Sequence, residues 1–336
     1  MGDKFNMEKR YLAGDIGGTK TRLALFSPEG GGFEALEQET YLSQEFESLE
    51  SILQIYLQDQ NYRISGASFG VAGPIIGQKA RVTNLQWVVD KDSLQQHLGG
   101  IEVHLLNDLH AISSAVPNLK ADEIEELIPG SPAPHGAIGV IAPGTGLGEG
   151  FLIWDGERNQ PHPSEGGHTS FGPETSLQLE LLNYMDNKYN HVSYERVCSG
   201  LGIANLYAFL YQEKGLHEPN WLREQLDQVD DPTPVIAQAA LEEQAEICIQ
   251  TMELFVSILG SEAGNLALKV LATGGIYLGG GIPRHIMPLL HGETFRQGFL
   301  DKGRFADMLT RVPVYVITHP HAGVFGAACH GMQNLN

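Results

Sequence analysis

The residues of this chain that could do chemistry stand beside glycines. Gly14-Asp15-Ile16-Gly17-Gly18-Thr19 combines a carboxylate, a hydroxyl and glycines. Glycines without a Cβ let backbone N–H groups approach a phosphate closely, and Thr19 adds a donor. Asp15 would repel a bare phosphate, so it makes sense there only with a cation such as Mg²⁺ between them. Pro143-Gly144-Thr145-Gly146-Leu147-Gly148 is a second turn of the same kind, and Gly279-Gly280-Gly281 is a third glycine cluster. Asn107-Asp108 directly follows an apolar stretch. An Asp at a strand's C-terminal end stands where α/β proteins carry reactive groups, and it equally suits the N-cap of a helix over 109–116. Ser164-Glu165-Gly166-Gly167-His168 sets a carboxylate and an imidazole three residues apart. That pair could bind a metal, although a third ligand is missing nearby, or it could hydrogen-bond several hydroxyls. Glu195, before Cys198-Ser199-Gly200, reads in isolation as a helix-surface acid. Glu149 follows the second turn, and its sequence context assigns it no role. Lys20 is either a phosphate contact or an exposed side chain, with exposure the favoured reading.

Periodicity supplies the elements that must hold these residues. Residues 11–16 and 21–26 read as a hairpin whose far turn is Gly30 to Gly32, with a third strand over 36–42. Because Thr21 to Phe26 is a strand, the first turn is neither a Walker loop nor a dinucleotide fingerprint, both of which lead into a helix. A helix is expected over 46–57, a buried strand over 64–73, a short helix over 92–98 and a strand over 102–106. Residues 117–136, rich in Pro and acidic groups, read as a crossover between domains. A second hairpin follows over 137–142 and 149–154. Helical patterns dominate 176–264, with a polar loop near 215–220. A strand is expected over 270–275, a helix over 283–290, a late strand over 314–318 and a final helix beyond 319. A hairpin with a Gly-Thr turn, then helices, then a glycine turn amounts to a weak internal repeat.

Composition narrows the function. The chain has 336 residues, 42% hydrophobic and 18% charged, enough for two domains of a folded protein. A formal net charge of −20 disfavours nucleic acid and anionic membrane as partners. An anionic ligand must therefore be held by local donors and a metal. Cys198, Cys248 and Cys329 have no zinc or disulfide spacing, which suits a reducing cytosol. No apolar run is long enough to span a membrane and no signal-peptide core is visible, so a cytoplasmic location is expected. Two Gly-Thr turns suit a nucleotide's phosphates, whereas Asn107, Asp108, Glu165, His168 and Glu195 suit a neutral, polyhydroxylated substrate.

These motifs, in this order, resemble the bacterial-type glucokinases of the superfamily that includes hexokinases, actin and the heat-shock ATPases. The resemblance rests on residues 14–19, 105–109, 143–148, 165–168, 194–200 and 274–284, and it runs from about Leu12 to about His330. It implies an α/β, duplicated ribonuclease H-like (actin-like ATPase) fold with two domains around a central cleft. A small domain of 1–117 plus about 312–336 and a large domain of 118–311 are expected. It also implies ATP-dependent phosphorylation of D-glucose with Mg²⁺, a homodimer, and domains that close over the sugar. Position by position, Asp108 matches the catalytic base, and Asn107, Asp108, Glu165, His168 and Glu195 match the glucose positions. Gly14, Asp15, Ile16, Gly17, Gly18 and Thr19 match the first ATP-phosphate segment, and Thr145 and Gly146 the second. Gly279 and Gly280 fall near adenosine, and Asp15 holds Mg²⁺ through water. A sister group of sugar kinases carries a cysteine-rich zinc motif after the sugar-loop histidine. Residues 169–173 contain no cysteine, so no structural zinc is expected, although Gly-Gly-Thr-Lys at 17–20 is common in that group. The alternatives are a kinase for another hexose or another phosphate donor, a sugar-binding regulator without turnover, and a chaperone or filament ATPase of the same superfamily. The −20 charge argues against the regulator and Glu165–His168 against the chaperone.

Overall fold

The computed structural model describes residues 8–28, 35–58 and 62–335. The expected turn at Gly30 to Gly32 lies outside them. In the first part of the chain the strands are β1 (Lys9–Ile16), β2 (Lys20–Phe26), β3 (Ala35–Leu42), β4 (Arg63–Val71), β5 (Ile75–Ile76), β6 (Lys79–Arg81), β7 (Val88–Asp90) and β8 (Val103–Asn107). Its helices are α1 (Leu49–Tyr56), α2 (Lys91–His97) and α3 (Asp108–Ala115). The second part has strands β9 (Ile124–Ile128), β10 (Ile138–Pro143), β11 (Leu147–Trp154), β12 (Asn159–Ser164), β13 (Gly275–Leu278) and β14 (Val314–Ile317). Its helices are α4 (Ser176–Asp186), α5 (Gly200–Gln212), α6 (Asn220–Leu226), α7 (Thr233–Leu241), α8 (Glu246–Val270), α9 (Gly281–His285), α10 (Met287–Leu290), α11 (Glu293–Leu300) and α12 (Ala306–Leu309). The final helix, α13, is Ala322–Gln333. The chain divides into two compact units, 1–120 with 319–336, and 121–318. The return to the first unit thus follows β14, where the sequence placed it at about 312.

Each unit is built on one main sheet, and these two sheets repeat one topology. The first runs β3-β2-β1-β4-β8 and the second β12-β11-β10-β13-β14-β9. In both, an antiparallel three-strand meander is followed by two parallel additions. This is the duplicated fold expected from the hairpins and their glycine turns. Among the described residues the second sheet alone carries an extra antiparallel edge, β9 on β14, inside the segment read as a plain crossover. Its Ile124 and Ile128 supply the partner that β14 requires, while its acidic residues stay at the surface.

Alternation along β1 explains how the first sheet is covered. Tyr11 and Ala13 face one core with Ala24, Phe26, Ala111, Ala115 and the α13 residues Val324, Ala327 and Ala328. Leu12 and Ile16 face the other, with Phe69, Val71 and the α1 residues Leu49, Ile52, Leu53 and Tyr56. The α1 residues recur at helical spacing. That helix starts at Leu49, three residues later than expected at 46, because Ser48 caps it by accepting from Ser51 N–H. Helices α3 and α13 pack so closely that a Cβ on Gly326 would lie 1.8 Å from the Ala111 carbonyl oxygen. We expect Gly326→Ala to cost the first unit about 2–3 kcal/mol by overpacking. Denaturant unfolding followed by near-UV circular dichroism would read this loss.

Two expectations shift in the second unit. Of the strand placed at 270–275, Val270 ends α8, which closes at Leu271 in a left-handed conformation (φ 50°), and 271–274 turn toward the strand. The strand itself lies at Gly275–Leu278, where it pairs with β10 and β14. The apolar run through Val270 continues the helical stripe of Ala263, Leu266 and Ala267, so the helix takes it. The helix expected over 283–290 is divided into α9 and α10, with Pro288 in the first turn of α10. The sequence also missed the small sheet β5-β6-β7 and strand β12, whose residues Asn159–Ser164 include two prolines.

Candidate active site

In the first unit the chemistry-bearing residues collect where strands end. Gly14 and Ile16 point into the core: a Cβ on Gly14 would meet Phe69 at 2.7 Å, and Ile16 is fully buried. Only the backbone of these two residues is left to serve a ligand. Gly17 N–H closes the turn on the Lys20 carbonyl at 3.0 Å. Ser43 then stitches the turn down, its backbone N–H donating to the Thr19 carbonyl at 3.0 Å and its hydroxyl to the Gly17 carbonyl at 2.7 Å. Thr19 and Lys20 are exposed at the tip.

Asp15 lies on the same sheet face as Tyr11 and Ala13. The β1–β2 register sets it opposite Arg22, whose Nη1 is 3.3 Å from Asp15 Oδ2. A Cβ on Gly323, in the first turn of α13, would come within 3.0 Å of the Asp15 carboxyl carbon. Burial raises the Asp15 pKa above the ordinary value and Arg22 opposes it. Arg22 was not singled out from sequence, although the hairpin register would have found it.

Asn107 and Asp108 share the start of α3. The cap is Asn107, whose Oδ1 accepts from Leu109 N–H at 3.0 Å and whose Nδ2 donates to the Gly73 carbonyl at 3.4 Å. Asp108 is the first helical residue, and its Oδ1 also accepts from Leu109 N–H, at 2.9 Å. The capping role open to Asp108 therefore belongs to its neighbour. Burial, with help from the Asp15 charge, pushes Asp108 up to about 6, while the Leu109 and Asp108 backbone N–H groups and Asn107 hold it down. A carboxylate with that pKa is ionised at neutral pH and basic enough to take a proton.

In the second unit the glycine turns and the sugar-type residues are contiguous. Gly144 N–H donates to the Gly146 carbonyl and Gly200 N–H to the Gly144 carbonyl, each at 2.8 Å. Gly280 (φ 83°) lies against Pro143, whose carbonyl oxygen would be 2.6 Å from an added Cβ. Gly279 N–H donates to the Ile141 carbonyl at 2.7 Å. The second and third glycine clusters are therefore one surface. Glu195, on a single 3₁₀ turn, links that surface to the Glu165–His168 loop. Its Oε2 accepts from Leu147 N–H at 3.1 Å, and its Oε1 is 3.9 Å from His168 Nδ1. His168 Nε2 is 3.9 Å from Glu165 Oε2. Glu165 and His168 stand outward, exposed, on either side of the buried Gly166 and Gly167. Glu195 is thus a positioned acceptor and not the surface acid that its sequence context suggested. Among the described residues no cluster of three His, Cys, Asp or Glu side chains could hold a metal ion. Cys198, Cys248 and Cys329 are buried and in no disulfide among the described residues. No helix of the described residues is long and apolar enough to cross a membrane.

Against known proteins, residues 12–334 match the glucokinase family model. The chain belongs to the glucokinase family. It is 41% identical to the glucokinase of Nostoc punctiforme over 94% of this chain and 97% of that one. It is 38% identical to the glucokinase of Synechocystis, covering 98% and 99%. Its fold superposes on the crystal structure of a glucokinase from an Antarctic psychrotroph with a TM-score of 0.84, 30% identity, and coverage of 97% and 99%. The family activity is ATP-dependent phosphorylation of D-glucose, and the chain is an enzyme of that class.

Proposed function

We propose that Asp108 is the general base of this reaction and that Asn107, Asp108, Glu165, His168 and Glu195 bind the glucose hydroxyls. The observation that carries this reading is Asp108 itself: a carboxylate at the C-terminal end of a sheet, fixed by a helix start, with its pKa raised to about 6. The 6-hydroxyl oxygen attacks the γ-phosphorus, its proton passes to Asp108, and the bond from the γ-phosphorus to the β–γ bridging oxygen breaks to release ADP. The transition state is loose, so positioning and charge supply most of the acceleration. The backbone of Gly14, Ile16, Gly17 and Gly18, with the Thr19 hydroxyl, serves the phosphates. Thr145 and Gly146 also serve the phosphates, and Gly279 and Gly280 lie toward adenosine.

The residues present fit Mg²⁺, which takes one or two carboxylates together with phosphate oxygens and water. Asp15 would hold it through water, with Arg22 sharing the carboxylate. When bound, the ion supplies positive charge to the phosphate oxygens. A homodimer and a cytoplasmic location belong to the same reading, and sedimentation at assay concentration tests the first.

A coupled assay over a panel of hexoses and phosphate donors tests the substrate assignment. The expected result is the highest kcat/KM with D-glucose and ATP. Preference for another hexose or for polyphosphate would replace the assignment, and glucose binding without turnover would favour a sensor. The state of the base sets an acid limb. Protonation disables Asp108, so kcat/KM should fall about tenfold per pH unit below about 6. A rate flat from neutral pH down to about 5 would remove Asp108 from that role.

A further inference from the structure

Glu149 takes no part in the reaction as assigned, yet it lies beneath the sugar loop. It sits on β11 opposite Ser164 of β12 and is 1% exposed. Neither carboxyl oxygen has a hydrogen-bond partner among the described residues, a costly condition for a buried polar group. A Cβ on Gly166 would fall 1.9 Å from Glu149 Oε2, so this backbone rests directly on the carboxyl. Gly167 rests in the same way on the Leu147 carbonyl, which an added Cβ would meet at 2.1 Å. The two residues between Glu165 and His168 are thereby pressed onto β11, and the sugar-facing side chains project from that contact.

We propose that Glu149 is a positioning residue for the sugar loop: its carboxyl is the seat for Gly166, and charge placed on that seat displaces Glu165 and His168 and weakens glucose binding. This rests on the reading of the loop as the sugar site.

The cation that faces Glu149, Lys269, is already held by Glu262. From α8 Glu149 faces Glu262 and Lys269, which are paired at 2.7 Å, and Glu262 outweighs Lys269 in its effect on Glu149. Tyr194 and Cys198, on the segment before α5, are neutral groups raised by burial and by Glu262. The Glu195 carboxylate is engaged with Leu147 N–H, and the loop's own Glu165 and His168 point outward. Burial first, then Glu262, raise Glu149 to about 8 against an opposing pull from Lys269. At neutral pH the seat is therefore an uncharged acid.

The test is calorimetric titration of the full chain with D-glucose across pH, comparing wild type with Glu149→Gln, which has nearly the same shape and never ionises. The wild-type Kd should rise about fivefold or more between pH 7 and about 9.5, and that of E149Q should change less than about twofold. An equal rise in both proteins, or none in wild type, overturns the proposal. Absence of glucose binding by wild type at every pH overturns the sugar-site reading itself, and the proposal with it. Stability gives a readout independent of sugar. A carboxyl moved from an ordinary 4.5 to about 8 keeps an extra proton on the folded chain in that window, so stability falls as pH rises through it. The melting temperature of E149Q should gain on that of wild type over the same range, and a constant difference counts against the charge. Contact itself is tested by exchange of bulk. Gly166→Ala should weaken glucose about tenfold by displacing the loop, and Glu149→Ala in the same chain should recover part of that loss. A double variant no better than Gly166→Ala overturns the seat.

Discussion

Asp108→Asn should lower kcat by about 10²–10⁴-fold, the usual cost of losing a general base. Glucose binding should survive. The amide keeps the shape of the carboxyl and an oxygen to accept from Leu109 N–H, now received at 2.9 Å. The α3 cap, meanwhile, belongs to Asn107 and is untouched. The fold should therefore be unchanged by circular dichroism, and calorimetry should find glucose still bound, with the loss confined to turnover. The remaining rate should lose its acid limb near pH 6, because the group that creates it is gone. A purified variant with more than half the wild-type kcat would show that Asp108 is not the base.

Glu195→Gln should act on the other side of the reaction. Losing a charged acceptor for a sugar hydroxyl corresponds to about 10–100-fold in the KM for glucose. The KM for ATP should change little, and kcat less than KM. Gln can still accept from Leu147 N–H, now 3.1 Å from Glu195 Oε2, so the second glycine turn keeps its support. Glu165→Gln should behave alike with even less risk to the fold, since that side chain is exposed. A loss of ATP affinity with glucose affinity intact would reverse the assignment. Steady-state kinetics with each substrate varied in turn reads both constants.

The sequence made the duplicated architecture legible because both hairpins carry a Gly-Thr turn between apolar strands, a pattern local enough to read. It made Asp108 legible because Asn-Asp directly follows a strand. Less visible were features that depend on partners distant in the chain. Strand β9 is acidic and short, and it becomes a strand by pairing with β14, nearly two hundred residues later. The end of α8 was misplaced because an apolar run of that length fits a buried strand or a buried helix equally. Glu195 looks like any surface acid until Leu147 N–H is brought to it. Glu149 could have been suspected, since it lies two residues from Leu147 on the same face of β11 and both are buried. Its contact with Gly166, however, depends on how β12 turns into the loop.

The union of α3 with α13 has a consequence for synthesis. The strands of the first sheet leave the ribosome early, yet the face formed by Tyr11, Ala13, Ala24 and Phe26 is covered by Val324, Ala327 and Ala328. Those residues are translated after the whole of 121–318. Through the whole making of residues 121–318, which hold a core of their own, the first sheet waits half-clad beside a helix whose first residue is Asp108. Domains commonly fold as they emerge, in order from the N-terminus. Here the order inverts: the later-made unit can finish first, and the element that carries the base is locked in place only once Ala322–Gln333 has emerged.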